Sequence, residues 1–198
     1  MIFKVFGLKI KVTFLFFAII CLMLFMDKTG LAIPLLVAIF AHEAAHIMAM
    51  KILRCAPSEI ELIPGSIKII NPQRYDGKKE NIILLCGPFC NLIFFCFFYL
   101  LYAACGYYPL VLFAAVELII GAFNLLPARG LDGGALLNNL LLKCLSPTKA
   151  ALIYLCVSVF TGTFFLALGI LSAIFGVINP SMIILGLYII ILNFTNKC

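Results

Sequence analysis

The chain has two histidines, and both fall in His42-Glu43-Ala44-Ala45-His46. Residues four apart share one face of a helix, so both imidazoles can ligate one metal ion. Glu43 is placed beside the first of them to act as general base on a water that such a metal activates. The motif lies in an apolar run, where each ionisable group is costly and its retention needs a reason. A blander reading has the same side chains facing a polar cavity, either for helix packing or as an ion relay.

Two histidines leave a zinc site one ligand short, because catalytic zinc takes three protein ligands and keeps a fourth position open. With no third His, the remaining donor types are Asp, Glu and Cys, and two acids stand against apolar sequence, Glu117 and Asp132. Asp132 closes the stretch Asn124-Leu125-Leu126-Pro127-Ala128-Arg129-Gly130-Leu131-Asp132, which runs on into Gly133-Gly134. Pro127, Gly130, Gly133 and Gly134 predict an interrupted helix at membrane depth, tolerated only where it is buried in protein or lines a wet cavity. Glu117 lies two helical turns before Asn124, so the two share a face. It reads either as a helix-packing acid or as a group lining that cavity. Arg129 reads as supplementary charge stabilisation or, more plainly, as an anchor at a helix end.

The elements that must carry these residues are set by composition. Of 198 residues, 65% are hydrophobic and 11% charged, against roughly 25% charged in a soluble domain. This excludes a soluble globular enzyme, a disordered chain and a nucleic-acid binder with a basic face. A span needs about 20 predominantly apolar residues. Charges and Asn179-Pro180 divide the chain into six such runs, 12–26, 31–50, 81–104, 109–126, 150–178 and 181–195. The first is short and follows Lys4, Lys9 and Lys11, but no small-x-small cleavage site comes after it, so it reads as a retained helix. Six spans put 13 of the 14 Lys and Arg residues on one side and Lys28 alone on the other. That asymmetry predicts cytoplasmic termini.

Between the second and third runs, Glu59, Glu61 and Lys68 alternate with Ile60, Leu62, Ile67 and Ile69. The alternation predicts two short strands, 58–63 and 66–70, around Pro64-Gly65, followed by a polar turn over 71–80. An edge of this hairpin could hold a peptide extended by β-augmentation. The expected fold is therefore an all-α polytopic membrane protein, a single domain over 1–198. It would have about six transmembrane helices and a small membrane-associated β-hairpin between the second and third. The nine cysteines include no CxxC pair, and six lie in or at the edge of apolar runs. They read as buried small hydrophobes in a reducing compartment.

Three motifs in order, His42-Glu43-Ala44-Ala45-His46, Gly87-Pro88-Phe89-Cys90-Asn91 and Asn124-Leu125-Leu126-Pro127 with Asp132-Gly133, resemble the site-2 protease family of intramembrane zinc metalloproteases (peptidase family M50). The resemblance covers about residues 30–140. It implies His42, His46 and Asp132 as zinc ligands and Glu43 as catalytic acid/base. It implies Asn124 as a group that positions substrate or the oxyanion. Asn91 would belong to a core helix beside the site. From their own placement, Glu117 and Arg129 join Asn91 as candidate substrate-binding or supporting groups. The length and the six runs are most similar to the stage IV sporulation protein FB-like branch. That branch commonly carries a C-terminal nucleotide-sensing CBS domain, and other branches an inserted PDZ domain; the expectation here is a chain with neither. The implied activity is cleavage of membrane-tethered proteins in or near their transmembrane segment, with an anchored transcription factor or sigma-factor precursor as the implied substrate class. The implied setting is a bacterial cell membrane, with the lipid bilayer and a regulatory membrane protein as expected partners and no nucleic acid. The alternative from a different class is a polytopic transporter or ion-conducting protein that uses the same His, Glu and Asp as a relay.

Overall fold

The structure, a computed structural model of the chain, describes residues 2–5, 8–55, 59–63, 66–70, 77–176 and 180–195. They form two compact units, Met1–Gly121 and Ala122–Cys198.

The first unit begins with two strands, β1 (Ile2–Val5) and β2 (Leu8–Val12), followed by α1 (Phe14–Met26) and α2 (Ala32–Ile52). Strands β3 (Glu59–Ile63) and β4 (Ser66–Ile70) come next, then α3 (Gly77–Cys105) and α4 (Pro109–Asn124). The strands form one sheet in the order β1-β2-β3-β4. β1 pairs antiparallel with β2, β2 parallel with β3, and β3 antiparallel with β4. The register sets Lys9 opposite Glu59 and Lys11 opposite Glu61. The N-terminal strands correct the expectation, which took this segment only as a basic flank of the first span. Leu8, Ile10 and Val12 alternate with Lys9 and Lys11 at the strand period, a signal as strong as the one over 59–70. Ser58, the Pro64-Gly65 turn and positions 71–76 of the expected polar turn lie outside the described residues; the last part of that turn already belongs to α3.

Asp27 determines where α2 starts. Its Oδ1 accepts hydrogen bonds from the backbone N–H of Thr29 (2.9 Å) and Gly30 (3.0 Å) and from the Thr29 hydroxyl (2.8 Å). Its Oδ2 accepts from the N–H of Ala32 (2.9 Å), the first residue of the helix. These bonds satisfy backbone donors that a helix start leaves without partners. α2 packs chiefly on α3. Ala49, Met50 and Ile83 make a buried cluster between them, flanked by Ile47, Leu53 and Cys86.

The second unit holds the last residues of α4, then α5 (Asp132–Cys144), α6 (Pro147–Ile174) and α7 (Pro180–Thr195). α5 brings the helices among the described residues to seven, where the expectation was about six transmembrane helices. Gly133 and Gly134 begin this helix rather than prolonging the irregular backbone. A Cβ on either would run into the carbonyls of Leu125 and Ala128, so the stretch 125–131 folds tightly over its first turn. α6 and α7 form an antiparallel pair whose backbones nearly touch. A Cβ at Gly186 would stand 2.6 Å from Leu166 N and 2.7 Å from Gly162 O. Small residues allow this approach, and without a hydrophobic drive in lipid such packing is a main source of helix association.

Among the described residues three helices, α2, α3 and α6, are long and apolar enough to cross a membrane. α4 and α7 are apolar but have 16 residues each, about 24 Å at the helical rise, against a hydrocarbon core of about 30 Å. Large apolar side chains point outward along these helices, among them Phe89, Leu100, Phe160 and Ile184. The buried set instead includes His42, His46, Asn91, Glu117, Ser158 and Asn193. A polar interior with an apolar exterior suits lipid as the solvent. The cysteines depart from expectation for the same reason. Among the described residues only Cys55 is buried, Cys86 and Cys90 are half-buried, and Cys21, Cys96, Cys105, Cys144 and Cys156 lie on outer faces.

Candidate metal centre

α2 carries the two histidines one turn apart on its buried face, 4% and 6% exposed. Their rings meet edge to face with centroids 4.7 Å apart, and their Nε2 atoms are 3.0 Å from each other. The other nitrogen of each ring faces an oxygen. His46 Nδ1 lies 2.8 Å from the carbonyl oxygen of Ile83. His42 Nδ1 lies 2.6 Å from Asn91 Oδ1. A carbonyl and an amide oxygen can only accept, so both Nδ1 atoms carry the proton and donate it. In neutral rings both Nε2 atoms then present lone pairs to the same point. Two converging lone pairs repel unless a cation lies between them, and neutral imidazole nitrogens with carbonyl-bound partners are the usual ligands of zinc.

The space around the pair is kept by Gly87 on α3. A Cβ there would stand 2.5 Å from His46 Nε2 and 2.7 Å from both His42 Nε2 and His42 Cε1. Only a residue without a side chain leaves the two nitrogens reachable from that helix. His42 and His46 of the first unit and Asp132 of the second are the residue types that can bind a metal ion. These donors are two imidazoles and a carboxylate, the ligand chemistry of catalytic zinc.

The remaining expected residues fall as follows. Glu43 is half-buried on α2, next to His42. Asn124 is the last residue of α4 and Asp132 the first of α5, both half-buried. An acid in the first turn of a helix is favoured by the helix dipole. Asn91 and Glu117 are wholly buried. Asn91 Nδ2 donates to Glu117 Oε2 (2.6 Å) and to the Ala38 carbonyl (3.1 Å). Glu117 therefore reaches the histidines through an amide. Arg129 holds its guanidinium carbon 5.4 Å from the ring centroid of Tyr154, a cation–π placement.

A second polar cluster is new to the structure. Ser158 Oγ accepts the backbone N–H of Arg129 (2.8 Å) and the side-chain N–H of Asn193 (2.9 Å). Asn193 Nδ2 also donates to Ile189 O (2.8 Å). Through Ser158, the α6–α7 pair holds the backbone at Arg129, three residues before Asp132. Ser158, Gly162, Gly169 and Gly186 are small residues in an uncharged stretch, and that pattern was the available signal.

No family model and no curated protein sequence matches the chain. Among solved structures it is similar to the site-2 protease from Methanocaldococcus jannaschii, at 23% sequence identity and a TM-score of 0.69. The likeness covers 99% of this chain and 94% of that one. The chain thus has the fold of that site-2 protease along nearly its whole length.

Proposed function

We propose that the chain is an intramembrane zinc metalloprotease that cleaves membrane-tethered proteins in or near their transmembrane segment. The observation that carries this reading is the His42–His46 pair. Both Nδ1 protons are committed to oxygens, both Nε2 atoms converge, and Glu43 stands beside them on the same helix. The site-2 protease fold and the His-His-Asp donor set support it.

In this reading His42, His46 and Asp132 hold the metal. Zinc, when bound, supplies Lewis acidity that polarises a peptide carbonyl and makes water acidic near neutral pH. Glu43 takes a proton from the attacking water and returns it to the leaving amine. Asn124 donates a hydrogen bond to the oxyanion as it develops. A substrate helix must first lose its own carbonyl hydrogen bonds. β4 is terminal in the sheet order, and a segment paired along it would be held extended.

The six apolar runs favour the stage IV sporulation protein FB-like branch, and with it an anchored transcription or sigma-factor precursor as substrate and a membrane protein as regulator; the Lys and Arg asymmetry favours both termini in the cytoplasm. The test is co-expression with candidate single-span proteins, comparing the wild type with Glu43→Gln, alongside zinc analysis of the purified protein. One zinc per chain, with cleavage lost in E43Q while the metal stays, is the expected result. A metal-free protein that cleaves nothing but conducts ions would favour a relay.

A further inference from the structure

The proposed reaction gives no work to Glu117, yet a carboxylic side chain buried in apolar surroundings is among the costlier groups a membrane protein can keep. Its neighbours indicate a use. α4 brings Glu117 and Gly121 to α3 at Asn91. A Cβ at Gly121 would already stand 3.0 Å from Asn91 Cβ, so the two helices meet closely around this amide. Glu117 and Asn91 are both 0% exposed. The amide orientation is fixed by its acceptors. Asn91 Nδ2 faces the Ala38 carbonyl at 3.1 Å and Glu117 Oε2 at 2.6 Å. The Ala38 carbonyl cannot donate, so the nitrogen must lie on that side and Oδ1 must face His42.

We infer that Asn91 and Glu117 are positioning residues that lock the His42 ring, in a chain running Glu117–Asn91–His42 Nε2. The inference rests on the zinc reading above. Glu117 holds the amide from turning over. The amide oxygen, 2.6 Å from His42 Nδ1, keeps the proton on Nδ1 and leaves Nε2 as a ligand. Hydrogen bonds in series polarise one another, so an acceptor at Glu117 strengthens the pull of Oδ1 on the imidazole N–H and raises the basicity of Nε2. If Asn91 turned over, its N–H would point at His42 Nδ1. The ring would then carry its proton on Nε2, where no metal could bind.

The experiment measures zinc affinity by chelator competition and the visible spectrum of the cobalt-substituted protein. Glu117→Leu and Glu117→Gln both keep the volume of the side chain, but only Gln keeps an oxygen that can accept from Asn91. Zinc affinity should fall about 10–100-fold in E117L and in Asn91→Leu, with an altered cobalt spectrum. E117Q should stay close to the wild type in both. Equal losses in E117L and E117Q, or no loss in either, would overturn the inference, because packing alone treats the two alike. If N91L does not fold, the Glu117 pair carries the test by itself. A wild-type chain that takes up no zinc refutes the proposed function instead, before any variant is compared.

Discussion

His42 and His46 bring their Nε2 atoms to 3.0 Å while each commits its Nδ1 proton to an oxygen of α3, one on Asn91 and one on Ile83. The i, i+4 spacing puts both rings on one face. The α3 oxygens then choose the tautomers, and that choice turns both Nε2 lone pairs toward the same point, where they could ligate a metal. Removing one imidazole should remove the site. His46→Ala is expected to lose zinc to a chelator that the wild type resists, with helical content unchanged by circular dichroism. Equal zinc retention would show that the pair does not ligate.

Glu43 is predicted to act on protons and not on the metal. In E43Q, zinc content should match the wild type while the cleavage rate falls at least 10²-fold, the usual scale of general acid–base assistance. The check is substrate turnover in detergent or proteoliposomes with metal analysis on the same sample. A variant that loses zinc along with activity would place Glu43 among the ligands.

Gly87→Ala tests the space over the pair. The added Cβ would meet both His rings at 2.5–2.7 Å, and buried rings tied through Nδ1 have little freedom to retreat. Zinc affinity should drop sharply, with a smaller loss of thermal stability. Wild-type zinc affinity in G87A would mean that metal, if any, binds elsewhere.

Ser158→Ala tests the anchoring of the stretch before Asp132. It removes the acceptor for Arg129 N–H and Asn193 Nδ2, which should cost about 1–2 kcal/mol. Thermal unfolding in detergent should register the loss. Ser158→Thr, which keeps an Oγ, should recover part of it, and a variant as stable as the wild type would show that the α6–α7 pair does not hold this segment.

Asp27 gives a prediction in pH. The backbone N–H groups of Ala32 and Thr29 and the Thr29 hydroxyl hold its carboxyl at about 2, below the ordinary 3.8. A depressed carboxylate stabilises the folded state above its unfolded value and loses that contribution as pH falls through the folded value. Asp27→Ala should therefore lower the melting temperature at neutral pH, and the gap from the wild type should close between about pH 4 and pH 2. Asp27 lies at the surface end of α2 and is only partly buried, so solvent screening keeps the effect small. A gap that does not change with pH would assign it to packing.

The sequence by itself determined the apolar class of the chain, the helix that carries His42 and His46, and the order of the motifs that end at Asp132. These are properties of neighbours along the chain, and periodicity and charge spacing report them directly. The alternation at Leu8–Val12 is equally legible, yet Lys4, Lys9 and Lys11 give the same segment the character of a basic flank to a span. Other features required the tertiary structure. Asn91 and His42 are 49 residues apart, Ser158 and Arg129 29 apart, and β2 pairs in parallel with β3 across α1 and α2. α5 was hidden because Gly133 and Gly134, helix breakers by propensity, are needed there to let the Leu125 and Ala128 carbonyls pass. Long-range pairing is poorly encoded in such a sequence for a physical reason. Lipid is as acceptable to an apolar face as another helix is, so hydropathy does not say which faces meet. That choice falls to a few buried polar groups that must find one another. Which of them do so, and through which nitrogen of His42, is decided only when α2, α3 and α4 are assembled.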